Sequence, residues 1–319
     1  MSCNPLGMLR PQLALSIVAL AGLGLSTGCT PTSAYRYSGM VPAARPIAFD
    51  GRTAEKGTAR IEGTLTHENV VTNDLPVLHD SAIHVPETTV EGALTYAVHD
   101  HVELGARLSY AHYAWTRPSS LGAPPLPDRP SQIGVGPELR LAFPLDRGKR
   151  WVFGTAFDLL HYTLPTAEWE LTSGCTQSPK CYVETHSIDG SPRYYAFRQQ
   201  TNESVWLASV SMLLSYAFGP HSEFGHVFAG LAFHPTFTND GFTDVATAKG
   251  QVEQKGWLPI AVAGYGVRLS PARLSASLFL PMGGDATTVR YGFGGQLTLG
   301  FEFGGKHEDE PNAVFGKQL

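Results

Sequence analysis

The chain has 319 residues, of which 43% are hydrophobic and 16% charged, with a formal net charge of -5 at pH 7. A mean hydropathy of -0.07 excludes a bundle of membrane helices, each of which needs ~20 apolar residues in a row. The acidic balance and the lack of any basic run exclude an electrostatic nucleic-acid surface, so no nucleic acid is expected as a partner.

Residues 1–28 read as an export signal. Arg10 ends a short n-region, and Leu13–Leu25 is an apolar run too short for a spanning helix; it closes on Ser26-Thr27-Gly28-Cys29. This segment resembles a bacterial lipoprotein signal, although Ser26 stands where such signals usually carry leucine. The resemblance implies that Cys29 is diacylated and becomes the mature N-terminus; cleavage near the same point without lipidation is the alternative, and both imply export. Residues 29–56, with scattered Pro, Gly, Ser and Thr and no clear period, are expected to be a flexible periplasmic linker.

From Gly57 the period becomes two, the signature of strands with one apolar face. The first strand runs over residues 57–67, with Ala59, Ile61 and Leu65 opposite Arg60, Glu62 and Thr64. A long loop leads to the second (87–98), which turns tightly at His99-Asp100-His101 into the third (101–115). The Pro-rich loop Arg117–Ser131 precedes the fourth (132–143), and a turn at 144–149 the fifth (150–164). The longest loop, Pro165–Asn202, holds Cys175 and Cys181, and its segment Arg193–Gln200 reads as a short hairpin arm. The sixth strand covers 203–218 and the seventh 225–238, with Phe237 outward. After a polar loop the eighth covers 257–269, even positions inward. The ninth (273–280) is the least regular, and the tenth (289–304) puts Tyr291, Phe293, Leu297, Leu299, Phe301 and Phe303 outward. Residues 306–319 form a polar periplasmic tail.

About ten such segments, joined alternately by long loops and short turns, resemble the bacterial outer-membrane β-barrels. The resemblance covers residues 57–305 and rests on pattern alone. It implies an all-β, antiparallel up-and-down transmembrane barrel in the bacterial outer membrane, surrounded by its lipid. Short turns are periplasmic in this class, which gives periplasmic N- and C-termini and an anchor in the periplasmic leaflet. Trp115, Trp206, Trp257, Phe237 and Tyr291 at the long-loop ends, and Trp151, Tyr96, Tyr216, Phe218 and Phe303 at the short-turn ends, read as aromatic belts.

The inward face carries Arg60, Glu62, Glu91, Glu103, Arg107, Glu138, Arg140, Asp158, Arg268, Arg290 and Glu302. This set is either a charged constriction that selects a small solute or handles protons, or a salt-bridge network that fills a narrow lumen. Cys175 and Cys181, in an exported loop, are expected to form a disulfide that shapes the loop. No metal or cofactor site is expected: His99 and His101 flank a solvated turn without a third ligand, and the glycines at 264–266 and 292–295 sit in strands rather than before a helix.

The first reading is a barrel without enzymatic activity, acting as a narrow channel or as a structural barrel that meets an extracellular or envelope protein. A second is a lipid or peptide hydrolase or transferase at the outer rim, where Asp158, His161, Tyr162, His234 and Asp240 gather, though only Asp158 is clearly inward. A third is a soluble periplasmic lipoprotein, disfavoured because the outward face lacks scattered Lys and Glu.

Overall fold

The computed structural model describes residues 35–71, 73–76, 81–118, 120–175, 180–185, 191–218, 224–237, 254–283 and 290–304. Ten strands form an antiparallel barrel: β1 (Thr58–Val71), β2 (Thr88–His99), β3 (Val102–His112), β4 (Ser131–Pro144), β5 (Trp151–Thr172), β6 (Arg193–Ala217), β7 (His226–Phe237), β8 (Gln254–Leu269), β9 (Ala272–Pro281) and β10 (Arg290–Gly304). Each pairs with its successor in sequence, and β10 pairs back onto β1 from Arg290↔Val71 to Gly304↔Thr58, which closes the sheet. The up-and-down barrel of ten strands is the one the periodicity implies.

Alternation explains which side is which. In β1, Arg60 is 1% and Thr64 4% exposed, while Ile61 and Leu65 between and beyond them are 53% and 51% exposed. The same inversion holds around the wall. Leu94, Leu104, Val135, Phe157, Leu231, Leu278 and Leu299 point outward, and charged residues point inward. Leaving so many large apolar side chains in water would forfeit ~25 cal/mol for each Å² kept exposed. The fold makes chemical sense only with an apolar medium around it.

Two strands outgrow the barrel. A crossing takes ~9–11 residues, whereas β5 has 22 and β6 has 25. Their ladder continues beyond the rim, from Pro165↔Asn202 to Thr172↔Tyr194. Much of what the sequence presents as the loop Pro165–Asn202 is therefore strand, and the arm expected at Arg193–Gln200 is part of β6. Where β4 ends its pairing with β5 at Ile133↔Thr163, a strand from the N-terminal region takes over: Tyr35–Met40 pairs antiparallel with β5 from Gly39↔Thr166 to Tyr35↔Glu170. Short strands Ser81–Pro86, Thr116–Pro118 and Cys181–Glu184 widen this distal sheet. Cys175 and Cys181 are disulfide-bonded, with Cα atoms 5.9 Å apart.

The distal sheet has its own core, in which Met40, Leu126, Trp169, Tyr182 and Tyr195 pack together. The Pro-rich loop lies over it. Ser38 Oγ donates to Pro125 O (2.9 Å), His84 Nε2 to Pro124 O (2.9 Å), Tyr182 Oη to Gly122 O, and Leu126 N to Tyr113 Oη (3.1 Å).

Three expectations are corrected here. The flexible linker over residues 29–56 is, in its described part, a strand followed by a run buried inside the barrel. The chain therefore enters the barrel from the long-loop end, where Tyr35 sits, and not from the short-turn end. Cys29 and the tail 306–319 lie outside the described residues, and β10 ends at the short-turn side. Finally, Phe237 and Tyr291 are not belt residues. The register slips between Thr236 and Phe237 in β7 and between Tyr291 and Gly294 in β10, and both rings are buried, at 0% and 8% exposed. A one-residue slip moves a side chain to the other face. Trp115, Trp206 and Trp257 remain exposed at that end.

His84 makes the distal lobe pH-sensitive. Its burial, partly offset by the bond to Pro124 O, pushes its pKa down to about 4. The unfolded chain takes up a proton below ~6.5 and the folded lobe does not, so stability is full above ~6.5 and falls on acidification towards 4. At pH 5 the loss is about 2 kcal/mol. Proteolytic nicking of residues 117–130 should accelerate between pH 7 and pH 5 in the wild type and much less in His84→Gln; an equally flat wild-type profile would contradict this.

Candidate functional site

The interior of the barrel is the site, and its filling comes from two sources. The first is the chain itself. From Met40 to Asp50 every residue is buried, with Val41 and Ala44 at 0%, Arg45 at 5% and Asp50 at 5% exposed. A run of this length spans at most ~35 Å when extended, enough to cross an apolar band ~25 Å tall. Its contacts trace the path. At the distal end Val41 N donates to His84 O (3.0 Å), and Gln132 Nε2 donates to Met40 O (3.1 Å). Midway, Gln296 Nε2 donates to Pro46 O (2.9 Å) and Ile47 N to Ser211 Oγ (3.1 Å). At the short-turn end Arg52 donates to Ser215 Oγ (2.7 Å) and Arg150 O (2.6 Å), and Thr53 Oγ1 to Asp100 O (2.8 Å).

One close approach fixes the backbone there. Gly51 has φ +82°, open to glycine, and lies against Gly154 of β5; a Cβ on Gly154 would stand 2.5 Å from Gly51 O.

The second source is the charge network expected from the sequence. Arg107 reaches Glu91 (2.9 Å), Glu138 (2.7 Å) and Asp158 (3.8 Å); Arg140 reaches Glu62 (2.5 Å) and Glu138 (2.7 Å); Arg60 reaches Glu103 (3.2 Å) and Glu302 (3.0 Å). Glu138 and Asp158 stand directly opposite on β4 and β5. Two carboxylates so placed repel, and Arg107 from β3 is the cation that serves both. Arg268 pairs with Glu302 at 2.8 Å but is 44% exposed, a rim residue rather than a lumen one. Arg290 begins β10, and its side chain lies outside the described set.

The plug joins this network. Arg45 bonds to Glu91 with Nε (2.8 Å) and Nη2, and also donates to Ser109 Oγ (2.9 Å) and Tyr162 Oη (3.2 Å). Asp50 pairs with Arg273, and His226 Nε2 lies 3.0 Å away. Ala48 O accepts from Arg107 and Arg140, both at 3.4 Å. Arg45, Asp50, His226 and Arg273 were not legible as site residues. Arg273 has the inward parity of its strand, which is the one signal that could have found it.

The lumen is two-sided. Strands β1–β5 supply most of the charge. Strands β6–β9 supply Leu207, Leu213, Phe228, Ile260, Val262 and Phe279, which pack with Val41, Ala43, Ala44, Ile47 and Phe49 of the plug. The plug thus sets its two ionic side chains among the wall's charges and its apolar ones against the apolar half, so both are satisfied.

The residues of the enzyme reading do not converge. Asp158 faces Arg107, Tyr162 bonds to Arg45, His161 packs on Trp206 with ring centroids 4.9 Å apart, and His234 bonds to Pro235 O at 2.8 Å. Asp240 lies outside the described residues. Among the described residues no His, Cys, Asp and Glu group has the geometry to hold a metal.

Breaking the joint has a calculable cost. Glu91→Ala leaves Arg45 and Arg107 short of a carboxylate in a buried site, which should cost about 3–5 kcal/mol. Replacing Arg45 and Glu91 together by Met should recover most of it. Urea unfolding followed by tryptophan fluorescence checks both; equal losses in the single and double variants would contradict the pairing.

No family model matches the chain, and no curated protein matches it. Among solved structures, it is similar to the outer membrane protein OprG from Pseudomonas aeruginosa (8% identity, covering 80% of this chain and 99% of that one, TM-score 0.33). It is also similar to an outer membrane channel from Pseudomonas putida F1 (9% identity, 82% and 100% covered, TM-score 0.39) and to the N-terminal β-barrel domain of P. aeruginosa OprF (12% identity, 78% and 100% covered, TM-score 0.28). The strand register described above is what establishes the barrel.

Proposed function

We propose that the chain is an outer-membrane β-barrel, closed at rest, that works as a structural and surface-interaction barrel without enzymatic activity. The observation that carries this reading is the buried run from Met40 to Asp50, which occupies the space an open pore would need. The membrane setting is supported by the outward face: the exposed side chains at mid-strand are mostly Leu, Ile, Val, Phe and Ala, with Met212, Pro137 and Tyr265 among them, where an Arg or Lys would cost ~2–4 kcal/mol in lipid. A soluble domain would scatter Lys and Glu over that face. Short turns at Asp100–His101 and Ser270–Pro271 then face the periplasm, and the distal lobe faces outward. Lipidation of Cys29 and partnership with an envelope or extracellular protein belong to the same proposal, with the distal lobe as the working surface.

One observation favours a second reading, a narrow channel opened by withdrawal of the plug. The strand ladder of the N-terminal segment stops at Met40, and beyond the bond from Val41 N to His84 O residues 42–54 are held mostly by side-chain contacts to the wall, which can be exchanged for water. Planar-bilayer recording separates the two. The closed barrel shows little or no steady conductance, and removal of residues 41–50 raises it; Gly154→Val, which crowds Gly51, does so to a lesser degree. Slower migration on boiling certifies that each variant is folded. Large, stable, salt-dependent conductance in the wild type would overturn the closed reading.

A further inference from the structure

The plug has a direction, and the direction fixes a topology. Tyr35–Gly39 is hydrogen-bonded to Thr166–Glu170, the part of β5 that lies beyond its last pairing with β4. At the other end, Lys56 N donates to Asp100 Oδ1 (2.9 Å) and Gly57 N to Ala97 O (2.8 Å), both at the short turn between β2 and β3. Between these two fixed points the chain passes once through the lumen. The strand at the distal end is not loosely placed: Trp169, fully buried, donates to Ser38 Oγ (3.4 Å), and Arg36 pairs with Glu184 (3.3 Å).

From this path we infer that the polypeptide is threaded through its own barrel from outside to inside, with Tyr35 at the outer surface of the cell and Gly57 at the periplasmic side. The inference rests on the outer-membrane reading above and deepens it by naming the face at which the threaded segment begins.

The test places one epitope tag per variant in the full-length protein: between Ala34 and Tyr35, after Asp128 in the distal Pro-rich loop, or after Arg147 in the turn between β4 and β5. Antibody binding is compared in intact and permeabilised cells. Threading predicts that the tags at Tyr35 and Asp128 are bound in intact cells and the tag at Arg147 only after permeabilisation. If Asp128 is bound in intact cells and Tyr35 only after permeabilisation, the threading is overturned while the outer-membrane reading stands. If all three need permeabilisation, the outer-membrane reading fails and the inference fails with it. Cleavage of intact cells by external protease at a site inserted directly before Tyr35 reads the side of Tyr35 independently; protection of that site in intact cells would overturn the threading.

Discussion

Arg45 lies in the middle of a barrel, 5% exposed, and bonds to a carboxylate on the wall that is itself bonded to Arg107. A buried guanidinium with no counter-ion would cost several kcal/mol, and so would Glu91 or Arg107 if either lost its share. The chain segment that carries Arg45 is thereby tied to strands β2 and β3, and through Arg107 to Glu138 and Asp158 on β4 and β5. The wall needs the plug as much as the plug needs the wall. A ring near eight strands fills its interior with its own side chains, and a ten-strand ring is wider. The space left over is taken by residues 41–50.

The same constraint accounts for the shape of the lumen. Charge is concentrated on β1–β5, and β6–β9 are lined mostly by Leu, Ile, Val, Phe and Ser, with Arg273 and His226 set opposite Asp50. An extended peptide presents alternate side chains to opposite sides, and a plug with Arg45 and Asp50 among Val, Ala, Ile and Phe suits a two-sided channel. It would not suit a uniformly polar one. Above the rim, Tyr35–Met40 continues as a strand in the distal sheet, and the Pro-rich loop covers the join. Cap and plug are one continuous piece of chain, buried at the mouth of the barrel and along its interior.

Much of this was written in the sequence, and the part that was not has a physical reason. Alternation between Ile61, Leu65 and Arg60, Thr64 is a signal every strand repeats, because lipid and lumen impose opposite demands on neighbouring residues. Strand number, most of the charges expected inward and the pairing of Cys175 with Cys181 follow from it or from composition; Arg268 instead stands exposed at the rim, and the side chain of Arg290 lies outside the described residues. The plug has no such signal. Residues 41–50, Val-Pro-Ala-Ala-Arg-Pro-Ile-Ala-Phe-Asp, are buried on all sides, so they show no period, and two prolines give them the look of a linker. Burial without periodicity reads as absence of structure. Phe237 and Tyr291 mislead for a different reason: parity predicts their side correctly only while the register holds, and both sit where it slips. The long arms of β5 and β6 hide behind polar residues such as Thr201, Asn202 and Glu203, which above the membrane no longer need an apolar face.

The central claim is that residues 41–50 occupy the lumen of the folded barrel. Hydrogen exchange of the purified, folded protein measures this without altering a residue. A free linker exchanges its amides at the intrinsic rate of an unstructured chain. A plug does not, because Val41 N is bonded to His84 O, Ile47 N to Ser211 Oγ, and the segment is closed to solvent. The account predicts protection over residues 41–50 comparable to that of the neighbouring wall strands. Exchange over that segment at the free-chain rate, in a barrel whose wall strands are fully protected, would contradict it.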